Sequence, residues 1–293
     1  MRDHHRRPRL EGPYFGGEGS IYARMGRVLD YTAQRHCPGW TINVKPVEPE
    51  PIRGVRRDAR FVVNTQKLDL WCRTIVEAPV GDRICLIDSD TFVVNGIDDV
   101  WDRDFDLAYT VRDYIIPFNS GVMFVRVTPQ TKAFMQRWRD ENAAMYGDVS
   151  CHMKWREKYG GMTQASLGRL LERDDHGLNL LTLPCGEWNC EDSCWGDFDP
   201  ARTRIVHVKS GLRRLIFQGD VGAPQYPWWT SENLMPLARR WHALERDAKK
   251  AEEYAAIRSW FGAVPTTALD FGARFNETIA ASVGAAEAEE VFA

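Results

Sequence analysis

The sequence is expected to fold as an α/β protein with a mainly parallel, mixed sheet flanked by helices and a helical C-terminal extension. Three observations carry that expectation. Between residues 21 and 208, short β-branched and aromatic runs alternate with segments of helical period. The 293 residues, 44% hydrophobic and 11% aromatic, suffice for one large α/β core or two modest ones. After Gly219 the pattern changes to an aromatic turn followed by one long helix.

Taken in order, "GSIYARMGRVLDYTAQRH" puts Ile21, Met25, Val28, Leu29 and Thr32 on one helical face behind a glycine-serine entry. "WTINVKPV" reads as a short strand that the prolines of "EPEPIRG" break. "FVVNTQKLDLWCRTIVEAP" reads as a brief strand turning into a helix, with Leu68, Trp71, Cys72, Ile75 and Val76 on the helical period and Pro79 ending it. A strand then runs from Ile84 in "RICLIDSDTFVVNG", and "FDLAYTV" and "SGVMFVRV" are two more. "PQTKAFMQRWRDENAAMYG" is a helix with Pro129 at its start and Phe134, Trp138, Glu141 and Met145 along one side. "QASLGRLLERD" is another helix, and "LNLLTLP" and "TRIVHV" close the series as strands. In the long helix Leu234, Leu237, Trp241, Leu244, Ala248 and Ala251 recur at steps of three and four, a stripe for packing on the main domain or on a partner subunit in a homodimer. The domain division is therefore expected at residues 1–219 and 220–293, with "AAEAEEVFA" as a frayed end.

Composition excludes several classes of function. A formal charge of -3 and a pI near 6.2 leave no electrostatic footprint for nucleic acid, and the basic start "RDHHRRPR" reads as a solvated end. No apolar run approaches the roughly 20 residues that cross a bilayer, and the first residues lack a signal-peptide core, so a cytoplasmic location is expected. Seven cysteines do not form a secreted disulfide pattern. Cys185, Cys190 and Cys194 lie close together with His207 downstream, but without a CxxC pair they read as a loop before they read as a zinc site.

Chemistry concentrates at Asp88 and Asp90. In a strand, side chains two apart point the same way, so both carboxylates would aim at one point beyond the strand's carboxyl end, where open α/β sheets bind ligands. Adjacent carboxylates repel unless a cation lies between them, and hard oxygen ligands suit manganese or magnesium. Alone, such a pair merely solvates a turn. Here it is followed in order by "PFNSGVMFVR", "GGMTQASL", "LPCGEWNC" and "RIVHVKSG".

That succession resembles the GT-A glycosyltransferases of the glycogenin-like family 8 and its relatives, over roughly Tyr22 to Arg214. The resemblance implies a GT-A, Rossmann-like fold and transfer of a sugar, with retention, from a nucleoside-diphosphate sugar to an acceptor it does not identify. Uridine diphosphate is the implied carrier. Asp88 and Asp90 look like the DxD pair holding Mn2+ (or Mg2+) on the donor diphosphate, and His207 like the third metal ligand. Lys67 resembles the lysine that contacts the donor, and Ser89 lies between the acids. Asn119, Ser120 and Gly121 match the "NSG" in which asparagine touches the donor sugar and glycine leaves room for it. Gly211 fits the small residue after the histidine where backbone nears phosphate, and one or both of Arg213 and Arg214 supply positive charge. The resemblance places Gln164 beside the reacting carbon, and Gln164 and Asp90 are the expected catalytic residues.

Two departures stand out. The family's "GGDQ" is "GGMTQ" here, with Thr163 where aspartate is expected. The first strand is poorly supplied by "RPRLEGPYFGG" and is expected to be very short or missing. Asp192 and Glu191 are candidate bases if the reaction inverts. Two other readings stay open: a catalytically silent nucleotide-sugar-binding module, and a haloacid-dehalogenase-type phosphotransferase, which would need threonine where Phe92 stands.

Overall fold

The computed structural model describes residues 6–50, 57–173 and 176–263. Arg2 to His5 and the C-terminal "AAEAEEVFA" fall outside these residues. A six-stranded mixed sheet is built from β1 (Arg9–Glu11), β3 (Thr41–Asn43), β5 (Arg83–Ile87), β7 (Leu107–Val111), β8 (Phe118–Arg126) and β9 (Leu180–Pro184), in the order β3-β1-β5-β8-β7-β9. The pairs β3-β1, β1-β5 and β7-β9 are parallel, and the two pairs made by β8 are antiparallel. Two small sheets complete it: β2 (Tyr14–Phe15) with β4 (Pro46–Val47), and β6 (Thr91–Val93) with β10 (Ile205–His207). The first strand is thus present and only three residues long, yet it sits between β3 and β5 with Leu10 fully buried.

Strand β5 shows why the sheet needs cover on both faces. Ile84 and Leu86 point into one apolar core with Met123 and Val125, and Cys85 and Ile87 into another with Val122 and Phe124. The first core is closed by α2 (Ala59–Glu77), α3 (Pro129–Gly147) and α5 (Met162–Leu171), through Leu68, Trp71, Phe134, Trp138 and Leu167. The second is closed by α1 (Ile21–His36), through Leu29 and Ala33. Each fully buried side chain of this size contributes about 1.5–3 kcal/mol, so the sheet is held chiefly by its two helical layers.

Helix termini follow local chemistry. Ser20 caps α1 by accepting from the Ala23 amide, and Thr128 with Thr131 makes a reciprocal cap ahead of Pro129 in α3. Asp58 caps α2 by accepting from the Arg60 amide, so Phe61–Val63, expected as a brief strand, are helical. The β-branched run is overridden by a cap three residues upstream and by Phe61 burying its ring beside Met145 and Met162. Helix α4 (Val149–Tyr159), capped by Asp148, was not legible from its sparse apolar pattern. The series is completed by the single turn α6 (Cys185–Trp188), α7 (Ser210–Gln218) and α8 (Ser231–Ala263).

Two compact units span Met1–Lys249 and Lys250–Ala293. The expected division after Gly219 differs from this one by the aromatic turn and the first half of α8. There Leu234, Leu237, Ala238 and Trp241 lie in an apolar cluster with Met25, Phe92, Val206 and Leu212, and Ala248 is buried, whereas Ala251 is exposed. In the second unit residues 250–263 are helical. No described helix is long and apolar enough to cross a membrane.

Candidate active site

Strand pairing assembles the site. The register Ile87↔Val122 brings Asp88, just past the end of β5, beside Gly121, whose carbonyl accepts from the Asp88 amide at 2.8 Å. The register His207↔Thr91 sets the last residue of β10 against the residue after Asp90, and the Val208 amide donates to the Asp90 carbonyl at 2.6 Å. The acids do not occupy alternate strand positions, as the sequence pattern suggests. Residues 88–90 form a turn, closed by the Thr91 hydroxyl donating to the Asp88 carbonyl at 2.7 Å. Tertiary pairing, rather than strand alternation, makes the carboxylates converge.

His207 Nε2 lies 3.1 Å from Asp90 Oδ1 and 3.8 Å from Asp88 Oδ2, and one ligand atom from each of the three residues falls within 4.8 Å of the others. Two hard carboxylates and one imidazole form a donor set suited to Mn2+ or Mg2+. The set is bracketed by cations. Lys67 Nζ, reaching from α2 past the Trp71 ring at 4.5 Å, donates to Asp88 Oδ1, and Arg213 Nη2 donates to Asp90 Oδ2. Burial alone would raise the Asp90 pKa, but the His207 and Arg213 charges outweigh it and hold this carboxyl well below the usual carboxylate range.

Two cavities meet here. One of about 440 Å³ is lined by Phe15, Tyr22, Arg60 and Ser89, among others; a second of about 320 Å³ is lined by Asn119, Ser120, Thr163, Gln164, His207 and Lys209, among others. Both are bordered by Asn64, Lys67, Asp88, Asp90 and Arg213. Gln164 donates from Nε2 to the Tyr159 carbonyl at 2.7 Å and the Phe118 carbonyl at 3.3 Å, so the group it can offer a ligand is Oε1.

Several expected roles change in detail. Gly121 does leave room, but for the protein's own groups: a Cβ there would meet His207 Cε1 at 2.5 Å, Asn119 Oδ1 at 2.8 Å and Asp88 Oδ2 at 2.9 Å. Asn119 Oδ1 already accepts from the Gly121 amide and from Asn189 Nδ2, so only its amide nitrogen is left for a ligand. At Gly211 a Cβ would sit 1.2 Å from Trp229 Nε1, so an indole occupies the space the resemblance reserves for phosphate. Arg214 turns away and pairs with the exposed Asp220. Of the two arginines, only Arg213 reaches the acids.

Glu191 and Asp192, expected only as candidate bases, belong to a buried charge cluster. Fully buried Glu191 accepts from Arg112 Nη1, from the Ser193 hydroxyl and from Lys209 Nζ, the last at 3.3 Å. Asp192 accepts from the Ser210 hydroxyl at 3.0 Å, which holds Ser210 at a left-handed φ of 33° in the turn after His207. Burial and a hydrogen bond shared with Glu191 push the Asp192 carboxyl up to about 6. Neither acid lines the described cavities. Cys185 and Cys194 approach Glu191 within 4.8 Å, whereas His207 joins the acids and not the cysteines, and Cys190 is buried in the apolar cluster.

The fold is similar to that in several solved structures. One is a glycosyltransferase involved in glycosylation of the major capsid of PBCV-1, with 13% identity, a TM-score of 0.47, and coverage of 69% of this chain and 94% of that one. Another is the glycosyltransferase GlyE of Streptococcus pneumoniae, with 14% identity and a TM-score of 0.49; the match covers 83% of this chain but spans only 63% of GlyE. A third is mouse xyloside xylosyltransferase 1 in its apo form, with 10% identity, a TM-score of 0.44, and coverage of 69% of this chain and 97% of that one. No protein-family model and no curated protein matches the sequence.

Proposed function

We propose that this chain is a metal-dependent glycosyltransferase that moves a sugar from a nucleoside-diphosphate donor, a uridine diphosphate sugar by resemblance, to an acceptor with retention at the sugar carbon. One observation carries the reading: Asp88, Asp90 and His207, far apart in sequence, present their ligand atoms to one point. That point lies at the junction of two cavities whose size suits a small organic ligand.

The charge balance supports it. Lys67 and Arg213 offset Asp88 and Asp90, so these two cations and two carboxylates sum to zero. A divalent cation among the three ligands leaves the site positive, which complements a diphosphate. Bound there, Mn2+ or Mg2+ would supply Lewis-acid neutralisation of the departing diphosphate. Lys67 and Arg213 would donate to the phosphate oxygens of a bound diphosphate, arginine in bidentate fashion. Gln164 Oε1 and the Asn119 amide nitrogen border the smaller cavity, where the transferred sugar would be oriented.

A second reading has one specific observation in its favour. Thr163 lines that cavity where the resembled family carries aspartate, which fits a module that binds a nucleotide sugar without turning it over. The phosphotransferase reading loses ground, because Phe92 is buried in the core and the Thr91 hydroxyl is committed to the Asp88 carbonyl. Incubation with Mn2+ and a panel of nucleotide sugars separates the readings. Metal-dependent donor hydrolysis or transfer supports the enzyme, binding without turnover supports the module, and phosphate release from simple monoesters supports the phosphotransferase.

A further inference from the structure

We infer that Asn189 is a positioning residue that keeps a hydrogen on His207 Nδ1, so that Nε2 is the ring nitrogen left to bind a cation among the acids. The inference rests on the metal-site reading above. Its evidence is a hydrogen-bond chain whose direction can be worked out from one end to the other.

The chain begins at groups whose roles admit no choice. The Gly121 amide can only donate, and it donates to Asn119 Oδ1 at 2.7 Å, which makes that atom the carbonyl oxygen of the side chain. The Thr110 hydroxyl spends its hydrogen on the Asn119 main-chain carbonyl at 2.7 Å, so Thr110 Oγ1 can only accept from other partners. Asn189 Nδ2 lies 3.1 Å from Asn119 Oδ1 and 2.9 Å from Thr110 Oγ1. Two separate acceptors therefore require the amide nitrogen at that position. The Asn189 side chain cannot be turned over without setting oxygen against oxygen twice.

With its nitrogen so placed, Asn189 points Oδ1 at His207 Nδ1, 3.0 Å away. An amide oxygen only accepts, so Nδ1 carries a hydrogen whatever Nε2 does, and Nε2 is the nitrogen whose lone pair is available once a cation replaces its own hydrogen against Asp90. Nε2 is the nitrogen that faces Asp90 and Asp88. Asn189, Asn119, Thr110 and His207 are all buried, so no competing solvent hydrogen bond relaxes the arrangement. The reach of the device is long. A main-chain amide in β8 determines, through two asparagines, which imidazole nitrogen can bind a cation.

The test uses the 293-residue chain and two substitutions. In metal-free wild type, 1H–15N correlation spectra should show a hydrogen on His207 Nδ1; a bare Nδ1 overturns the proposal. Asn189→Asp keeps an acceptor against Nδ1 and should keep that hydrogen, although it loses the donor bonds to Asn119 and Thr110. Asn189→Leu removes the acceptor and should leave the ring with its one hydrogen on Nε2, against Asp90. With uridine diphosphate present, Asn189→Leu should also weaken Mn2+ binding by about 10–100-fold. An unchanged tautomer and unchanged Mn2+ affinity in Asn189→Leu would contradict the assignment. If that variant does not fold, the wild-type and Asn189→Asp spectra still decide. Absence of Mn2+ binding by wild type would sink the metal reading separately, because the tautomer spectra require neither metal nor turnover.

Discussion

Arg213 and Asp90 are joined by a hydrogen bond from Nη2 to Oδ2, on the oxygen not taken by His207. The guanidinium also donates from Nε to the Val208 carbonyl at 3.1 Å, which fixes its plane, while Arg214 pairs with exposed Asp220 instead. The neighbouring arginines are therefore expected to behave differently. Arg213→Ala should weaken donor binding by about 2–3 kcal/mol, as expected for a lost charge-assisted bond. Arg214→Ala should stay within about 0.5 kcal/mol of wild type. Isothermal titration of both variants with uridine diphosphate and Mn2+ checks this, and equal losses would contradict it.

Gly121→Ala puts a methyl group against His207, Asp88 and Asn119 together. Because one of these contacts is a ring held from its far side by Asn189, the site has little freedom to yield. A stability loss of about 1–3 kcal/mol is expected, accompanied by loss of metal-dependent donor binding. Denaturant melts and Mn2+ titration of the same variant read the two effects.

Gly211 offers a sharper distinction between two explanations for one glycine. If its role is to admit the Trp229 indole, Gly211→Ala should destabilise by about 1–3 kcal/mol, and adding Trp229→Leu should recover part of that loss. If the glycine serves only close approach of phosphate, the double substitution should recover nothing. A double-mutant cycle in urea gives the coupling directly.

His152 yields a pH dependence. It is fully buried edge-on to Phe61 at 4.9 Å, and neither ring nitrogen has a hydrogen-bond partner. Burial first, then the Arg57 and Arg156 charges, depress its pKa from 6.5 to about 4. The folded state thus resists a proton that the unfolded chain accepts. Its contribution is fully present above pH 6.5 and is lost as pH falls toward 4, on the order of 3 kcal/mol in all. His152→Leu should flatten that acid limb in urea melts taken at a series of pH values.

Much of the fold could be read from the chain because periodicity and caps agreed. Helix α3 runs from the proline to the glycine that its pattern marked, and α1 starts behind the serine expected to cap it. Strand β1 was hard to see because three residues cannot display a period; long-range pairing with β3 and β5 defines it. At the candidate site, residue types were legible where several motifs reinforced one another, as with Asp88, Asp90 and His207. Partners were not. Asn189 stands in "EWNC" with nothing local to indicate that its amide meets β7, β8 and β10, and Gly211 gives no hint of an indole arriving from residue 229. Such contacts depend on tertiary placement, which one-dimensional spacing does not encode.

The central claim is that two acids and one imidazole bind a single divalent cation. Its most direct test is an electron paramagnetic resonance titration of Mn2+ with uridine diphosphate present, on wild type, Asp90→Ala and His207→Ala. The account predicts one saturable site in wild type that disappears in both variants. Retention of wild-type Mn2+ affinity by either variant, or failure of wild type to bind the ion, would contradict it.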